Sequence, residues 1–166
     1  MASNFSEAIS LSSTSKAIFL AFLSLACVVS GCDYIYYDGT RDKPPLEAMV
    51  GTWVPDSSSL KYMHDEGGYS VSTKTEIVLK ADGRYEMNNM PDWWWFHDGV
   101  SRRTFRSEMG TWEVSLDAGE PYWTLRLRAH DSERGIGLRG QQAPYRLHFN
   151  FGHIDDNKYM IFVKEE

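Results

Sequence analysis

Two stretches decide the fold: Thr111-Trp112-Glu113-Val114-Ser115-Leu116 and Trp123-Thr124-Leu125-Arg126-Leu127-Arg128-Ala129. In the first, Trp112, Val114 and Leu116 alternate with Thr111, Glu113 and Ser115. In the second, Trp123, Leu125, Leu127 and Ala129 alternate with Thr124, Arg126 and Arg128. A period of two belongs to a strand with one face buried and the other wet. Tyr145–Phe151 repeats the pattern, with Tyr145, Leu147, Phe149 and Phe151 set against Arg146, His148 and Asn150. Val50–Val54, Thr75–Lys80, Arg84–Met90 and Lys158–Lys164 are further strand candidates.

Ala81-Asp82-Gly83 joins two of these strands as a tight hairpin, with Gly83 supplying a positive φ. One helix is expected. Asp56 or Ser57 caps it, Leu60 and Met63 fall on one face, and Gly67-Gly68 stops it. At roughly ten residues it is marginal alone and must lean on the sheet. About seven consecutive strands with short turns make an all-β antiparallel meander. Such a sheet buries one face and has to protect its edges. Curling into a small barrel does both, and a strongly bent open sheet is the alternative. The expected inward set is Trp53, Trp112, Val114, Trp123, Leu125, Leu127, Leu147 and Phe149.

Upstream of the strands the chain changes character. Lys16 precedes the apolar run Ala17–Val29, and Ser30-Gly31-Cys32 follows it. Positive charge, apolar run and small residues in that order read as a secretory signal peptide. The run is short of the roughly 20 apolar residues of a membrane span. Val29-Ser30-Gly31-Cys32 resembles the lipobox of bacterial lipoproteins. That resemblance implies cleavage before Cys32, acylation of its thiol and of the new amino terminus, and a place on a cell-envelope membrane facing the periplasm. Asp33, directly after the cysteine, resembles the inner-membrane retention pattern of enteric bacteria. On this reading residues 1–31 are a signal peptide, 32–45 a lipid-anchored tether and 46–166 the β domain. The tether carries Asp33, Asp38, Gly39, Asp42 and the stiff pair Pro44-Pro45. A flexible chain of its length reaches only about 20 Å. Tyr34, Ile35, Tyr36 and Tyr37 either rest in the membrane interface, which favours Tyr, or are unordered.

Removing Glu7 and Lys16 with the leader leaves the formal charge at −6. That balance argues against nucleic acid as a partner. Cys27 leaves with the leader and Cys32 is consumed by the anchor, so no disulfide, thiol nucleophile or cysteine zinc site is expected in the domain.

Gly51-Thr52-Trp53 opens the first strand and Gly110-Thr111-Trp112 a central one, with Leu79-Lys80-Ala81-Asp82-Gly83-Arg84-Tyr85 between them. This series resembles the small lipocalin-like domains of bacterial lipoproteins, over about Leu46–Glu166. The resemblance implies a barrel holding or sensing an apolar small molecule beside the membrane. It also implies that Trp53 packs across the closed bottom under a basic residue, which spacing alone does not assign.

Catalytic and metal chemistry find little support. His64, His97, His130, His148 and His153 are scattered, with no His-x-His or His-Glu-x-x-His. Asp82-Gly83 and Asp155-Asp156-Asn157 lack the alternating oxygen ligands of a calcium loop. His64-Asp65-Glu66, His97-Asp98 and His130-Asp131 are sequence neighbours, which seldom form a triad. No Gly-x-Ser-x-Gly or phosphate-binding glycine loop occurs. No catalytic residue, metal or cofactor is expected, and the chain reads as a binding protein, not an enzyme.

The strongest local signal is Trp93-Trp94-Trp95-Phe96, bracketed by Pro91 and Gly99. Consecutive strand residues point to opposite faces, so four adjacent rings cannot share one inward face. One reading is a contact surface for an apolar ligand, a sugar ring, lipid or a protein partner. A periplasmic interaction lipoprotein, such as an immunity or inhibitor protein, would use it so. The other reading is a plug folded over one barrel end. Arg102, Arg103 and Arg106 place cations near the rings, where cation–π stacking is available.

Overall fold

The alternating segments become strands in the computed structural model, which describes residues 38–70, 72–94, 103–116, 119–130, 132–150 and 159–166. In chain order these are β1 (Gly51–Pro55), β2 (Glu76–Leu79), β3 (Arg84–Pro91), β4 (Phe105–Leu116), β5 (Trp123–Ala129), β6 (Ser132–Arg139), β7 (Arg146–Asn150) and β8 (Tyr159–Lys164). Each pairs antiparallel with the next, and β8 returns to β1 through Trp53↔Lys164, Val54↔Val163 and Pro55↔Phe162. The meander is therefore a closed eight-stranded barrel and not an open bent sheet. Closure pairs every strand on both sides, which removes the edges.

Inward residues follow the alternation. Trp53, Trp112, Leu125, Leu127, Leu147 and Phe149 are buried, while Val114 and Trp123 are partly buried against them. Ile77, Leu79, Tyr85, Met87, Ile136, Leu138, Met160 and Phe162 complete the interior. Each large side chain so buried contributes about 1.5–3 kcal/mol.

Both Gly-Thr-Trp tripeptides have a backbone reason. Gly51 sits at φ 140°, which disfavours any other residue. At Gly110 a Cβ would lie 2.0 Å from the Arg128 carbonyl oxygen, so β4 and β5 could not approach. Gly83 takes φ 79° in the β2–β3 turn, as its place in the hairpin requires.

A single turn, α1 (Leu46–Met49), precedes β1, and α2 (Ser57–Asp65) follows it. The α2 cap is Asp56, whose Oδ1 accepts from the Ser59 N–H at 2.8 Å. Burial pushes the Asp56 carboxyl up, and the bonds from Ser59 and Ser58 outweigh it and hold the carboxyl below its usual range. The buried face is not the expected Leu60–Met63 pair: Met63 is buried, but Leu60 is exposed, and Ser59 takes the inner position one turn before Met63. The Ser59 hydroxyl accepts from Ile161 N–H at 2.8 Å, pinning α2 to β8.

Three other differences stand out. Ser132–Arg139 is a strand that alternation did not single out. β4 begins at Phe105, within the flank read as a loop. Residues 38–41, expected in the tether, pack on the barrel, so the compact unit runs Asp38–Glu166. Gly39 bridges Arg139, Thr40 is fully buried, and Trp123 N–H donates to the Thr40 carbonyl at 2.8 Å.

Antiparallel succession gives the barrel two distinct ends. The α1 end carries residues 38–45, α1, the β2–β3, β4–β5 and β6–β7 connections and the C-terminus. The α2 end carries α2 and the β3–β4, β5–β6 and β7–β8 connections. Trp53 sits by α1, fully buried, and its Nε1 donates to the Met49 carbonyl at 2.9 Å. Lys164 closes the β1–β8 seam beside it. It stands opposite Trp53 across β1–β8, and its Nζ donates to the Glu47 carbonyl at 2.9 Å.

Candidate functional site at the α2 end

The aromatic run begins where β3 ends. The β3–β4 register shifts between Met87↔Glu108 and Met90↔Arg106, with Asn89 at φ 51°. Such a bulge redirects the strand that follows it. Asn89 is fixed on both sides: Thr75 Oγ1 donates to its carbonyl at 2.9 Å, and its Nδ2 donates to the Lys74 carbonyl at 3.0 Å.

Beyond the bulge, Met90, Pro91, Asp92 and Trp93 are all buried. Asp92 is a fully buried carboxylate, tolerable only where hydrogen bonds satisfy it. The Tyr69 hydroxyl donates to its Oδ1, and the Thr104 hydroxyl and N–H reach its Oδ2 at 2.9 and 3.2 Å. Its own N–H donates to the Thr104 carbonyl at 3.0 Å. Asp92 therefore clamps the two feet of the β3–β4 connection to each other and to Tyr69.

Trp93 fills the next layer. Its ring meets Tyr69 edge-on at 4.7 Å and Tyr62 at 6.0 Å, while Tyr69 meets Phe105 at 5.4 Å. Gly67 admits this ring, since a Cβ there would lie 2.7 Å from it. So Gly67-Gly68, expected to stop the helix, also makes room for the aromatic cluster.

These placements sort the expected binding residues. Trp93 is turned inward and roots the loop. Trp94 completes a 3-10 turn over Asp92–Trp94. The Trp94 side chain, Trp95 and Phe96 lie outside the described residues, as does Cys32. Tyr69, Asp92 and Thr104 escaped the sequence reading, because a clamp across 35 residues leaves no local pattern.

A second polar group lies inside the barrel near the same end. Glu108 pairs with Met87 and Arg134 with Leu127, and both partners are core residues. The Tyr85 hydroxyl donates to Glu108 Oε1 at 2.6 Å. Burial, with the Glu108 bond and charge adding to it, pushes the Tyr85 hydroxyl well above its ordinary range, and Arg134 opposes this.

Elsewhere the barrel carries ion pairs. Glu113, Arg126, Arg128 and Glu133 form an exposed network on the outer wall beside a depression of about 150 Å³. His148 lies on the outer wall with its ring 4.3 Å from Tyr159. Burial, and then the Arg139 charge, lower its pKa to about 4. His64 contacts Asp65 at the exposed end of α2. Among the described residues no three His, Cys, Asp or Glu side chains come together as metal ligands. No protein-family model, curated protein or solved structure matches this chain.

Proposed function

We propose that the protein is a lipid-anchored binding module of the bacterial cell envelope, held by Cys32 and engaging a protein partner through the β3–β4 connection. The observation that carries this reading is the Asp92 clamp. A segment rich in large rings springs from a stem fixed by Tyr69, Thr104 and Trp93. A loop held at both feet loses less conformational freedom on binding, and that saving appears as affinity. Aromatic side chains at the centre of a contact concentrate its energy. The inward positions of the strands carry Trp53, Tyr85, Phe149 and Phe162, which favours a surface at the barrel mouth over a deep cavity. The role is binding, with no catalytic group assigned.

A second reading keeps the same end of the barrel but takes an apolar small molecule with one polar group. Glu108, Tyr85 and Arg134 support it, because inward polar groups in an apolar wall fix ligand orientation.

Purification of the acylated full chain from chemically cross-linked membranes tests the proposal. A stoichiometric protein partner is expected with the wild type and should be lost in Trp95→Ala at unchanged melting temperature. A bound small molecule in the native mass spectrum, without a protein partner, would favour the second reading.

A further inference from the structure

We infer that the α1 end of the barrel lies against the phospholipid surface, with Leu46, Leu116, Tyr122 and Trp123 meeting the interface. The inference rests on acylation of Cys32. Asp38 is where the chain joins the domain, and this junction is fixed. Gly140 N–H donates to the Asp38 carbonyl at 2.9 Å, and Thr40 N–H to the Leu138 carbonyl at 3.1 Å. From Cys32 to Asp38 the chain reaches at most about 20 Å when fully extended. Part of that reach is used in crossing the head groups, which occupy about 5–8 Å on each side of the bilayer. The α1 end is thereby held within a short distance of the lipid.

What that end displays fits this neighbour. Leu46 is 54% exposed and Leu116 50% exposed, so both side chains are available to a neighbouring surface. Leu116 pairs with Trp123 across β4–β5, and the Tyr122 ring packs over Gly39. Arg41 stands over the Tyr122 ring at 5.8 Å and Lys43 over the Trp123 ring at 5.4 Å. Rings with apolar bodies and polar edges, flanked by long cationic side chains, suit the boundary between head groups and acyl chains. Asp42 and Glu47 stand among these cations, so the contact is driven by tether and rings more than by net charge. The β3–β4 connection, at the opposite end, is then presented away from the membrane.

The test uses the full acylated protein in vesicles of phosphatidylethanolamine and phosphatidylglycerol. Leu46→Cys, Leu116→Cys and Leu60→Cys each add one thiol for a nitroxide, with Leu60 exposed on α2 as the distal reference. Labels at 46 and 116 are expected to lose collisions with a water-soluble nickel relaxant and gain them with oxygen, while the label at 60 stays fully aqueous. That pattern should persist at high salt. On unlabelled protein, quenching of Trp fluorescence by brominated lipid should fall in Trp123→Phe. Protein that floats with the vesicles but shows equal nickel access at all three sites overturns the inference and leaves the anchor standing. Protein that does not float overturns the anchor, and the inference with it.

Discussion

At the scale of single residues, the burial pattern makes sharp distinctions between neighbours. Trp112 is buried and its Nε1 donates to the Lys80 carbonyl at 2.9 Å, whereas Glu113 faces water in an exposed pair with Arg128. Trp112→Ala should cost about 3–5 kcal/mol in denaturant unfolding, and Glu113→Ala within about 1 kcal/mol. Asp92→Ala removes the buried carboxylate that the Tyr69 hydroxyl bonds, together with the link to the exposed Thr104, and should cost about 2 kcal/mol in the same measurement. His148 predicts a pH dependence. Its folded pKa of about 4 lies below the unfolded value, so the unfolded chain takes up the proton first as pH falls. Stability from this site is intact above about pH 6.5 and is lost on acidification toward pH 4. His148→Phe keeps a ring against Tyr159 and should flatten the melting temperature across that window relative to wild type.

Elements were legible where local chemistry alone decides them. β5 follows the expected Trp123–Ala129 alternation because each inward residue is apolar and each outward one polar. The α2 cap and the Gly83 turn were likewise visible, since a cap and a positive φ are properties of one or two residues. Asp56→Ala should therefore cost about 1 kcal/mol, read from thermal unfolding. β6 was not visible. Only Ile136 and Leu138 mark its inner face clearly, Arg134 takes an inward position, and Gly135 and Gly137 weaken the intrinsic strand signal. Pairing with β5 and β7 on either side makes it a strand. The Leu60 assignment failed for a related reason: helical spacing gives a face, but contact with β8 decides which face, and Ser59 supplies the hydrogen bond there. Of the candidate site, the ring-rich run could be seen in the sequence. Its clamp could not, because Tyr69, Asp92 and Thr104 meet only after β3 and β4 have paired.

Across the whole molecule, closure of the barrel turns a list of alternating segments into an object with two unlike ends. β8 joins β1 through only three residue pairs, among them Trp53↔Lys164. Lys164 also holds α1 by its carbonyls, so Lys164→Ala should lower the melting temperature by loosening this end while leaving the β3–β4 clamp intact. The central claim is that the α2 end is the working face, directed away from an anchor at the other end. A photo-activatable side chain placed at Phe96, or at Met109 on the barrel wall (74% exposed), tests it in intact cells. The account predicts one discrete protein adduct from position 96, lost in the Trp95→Ala background, and none from position 109. Equal adducts from both positions, or an adduct from position 109 alone, would contradict it.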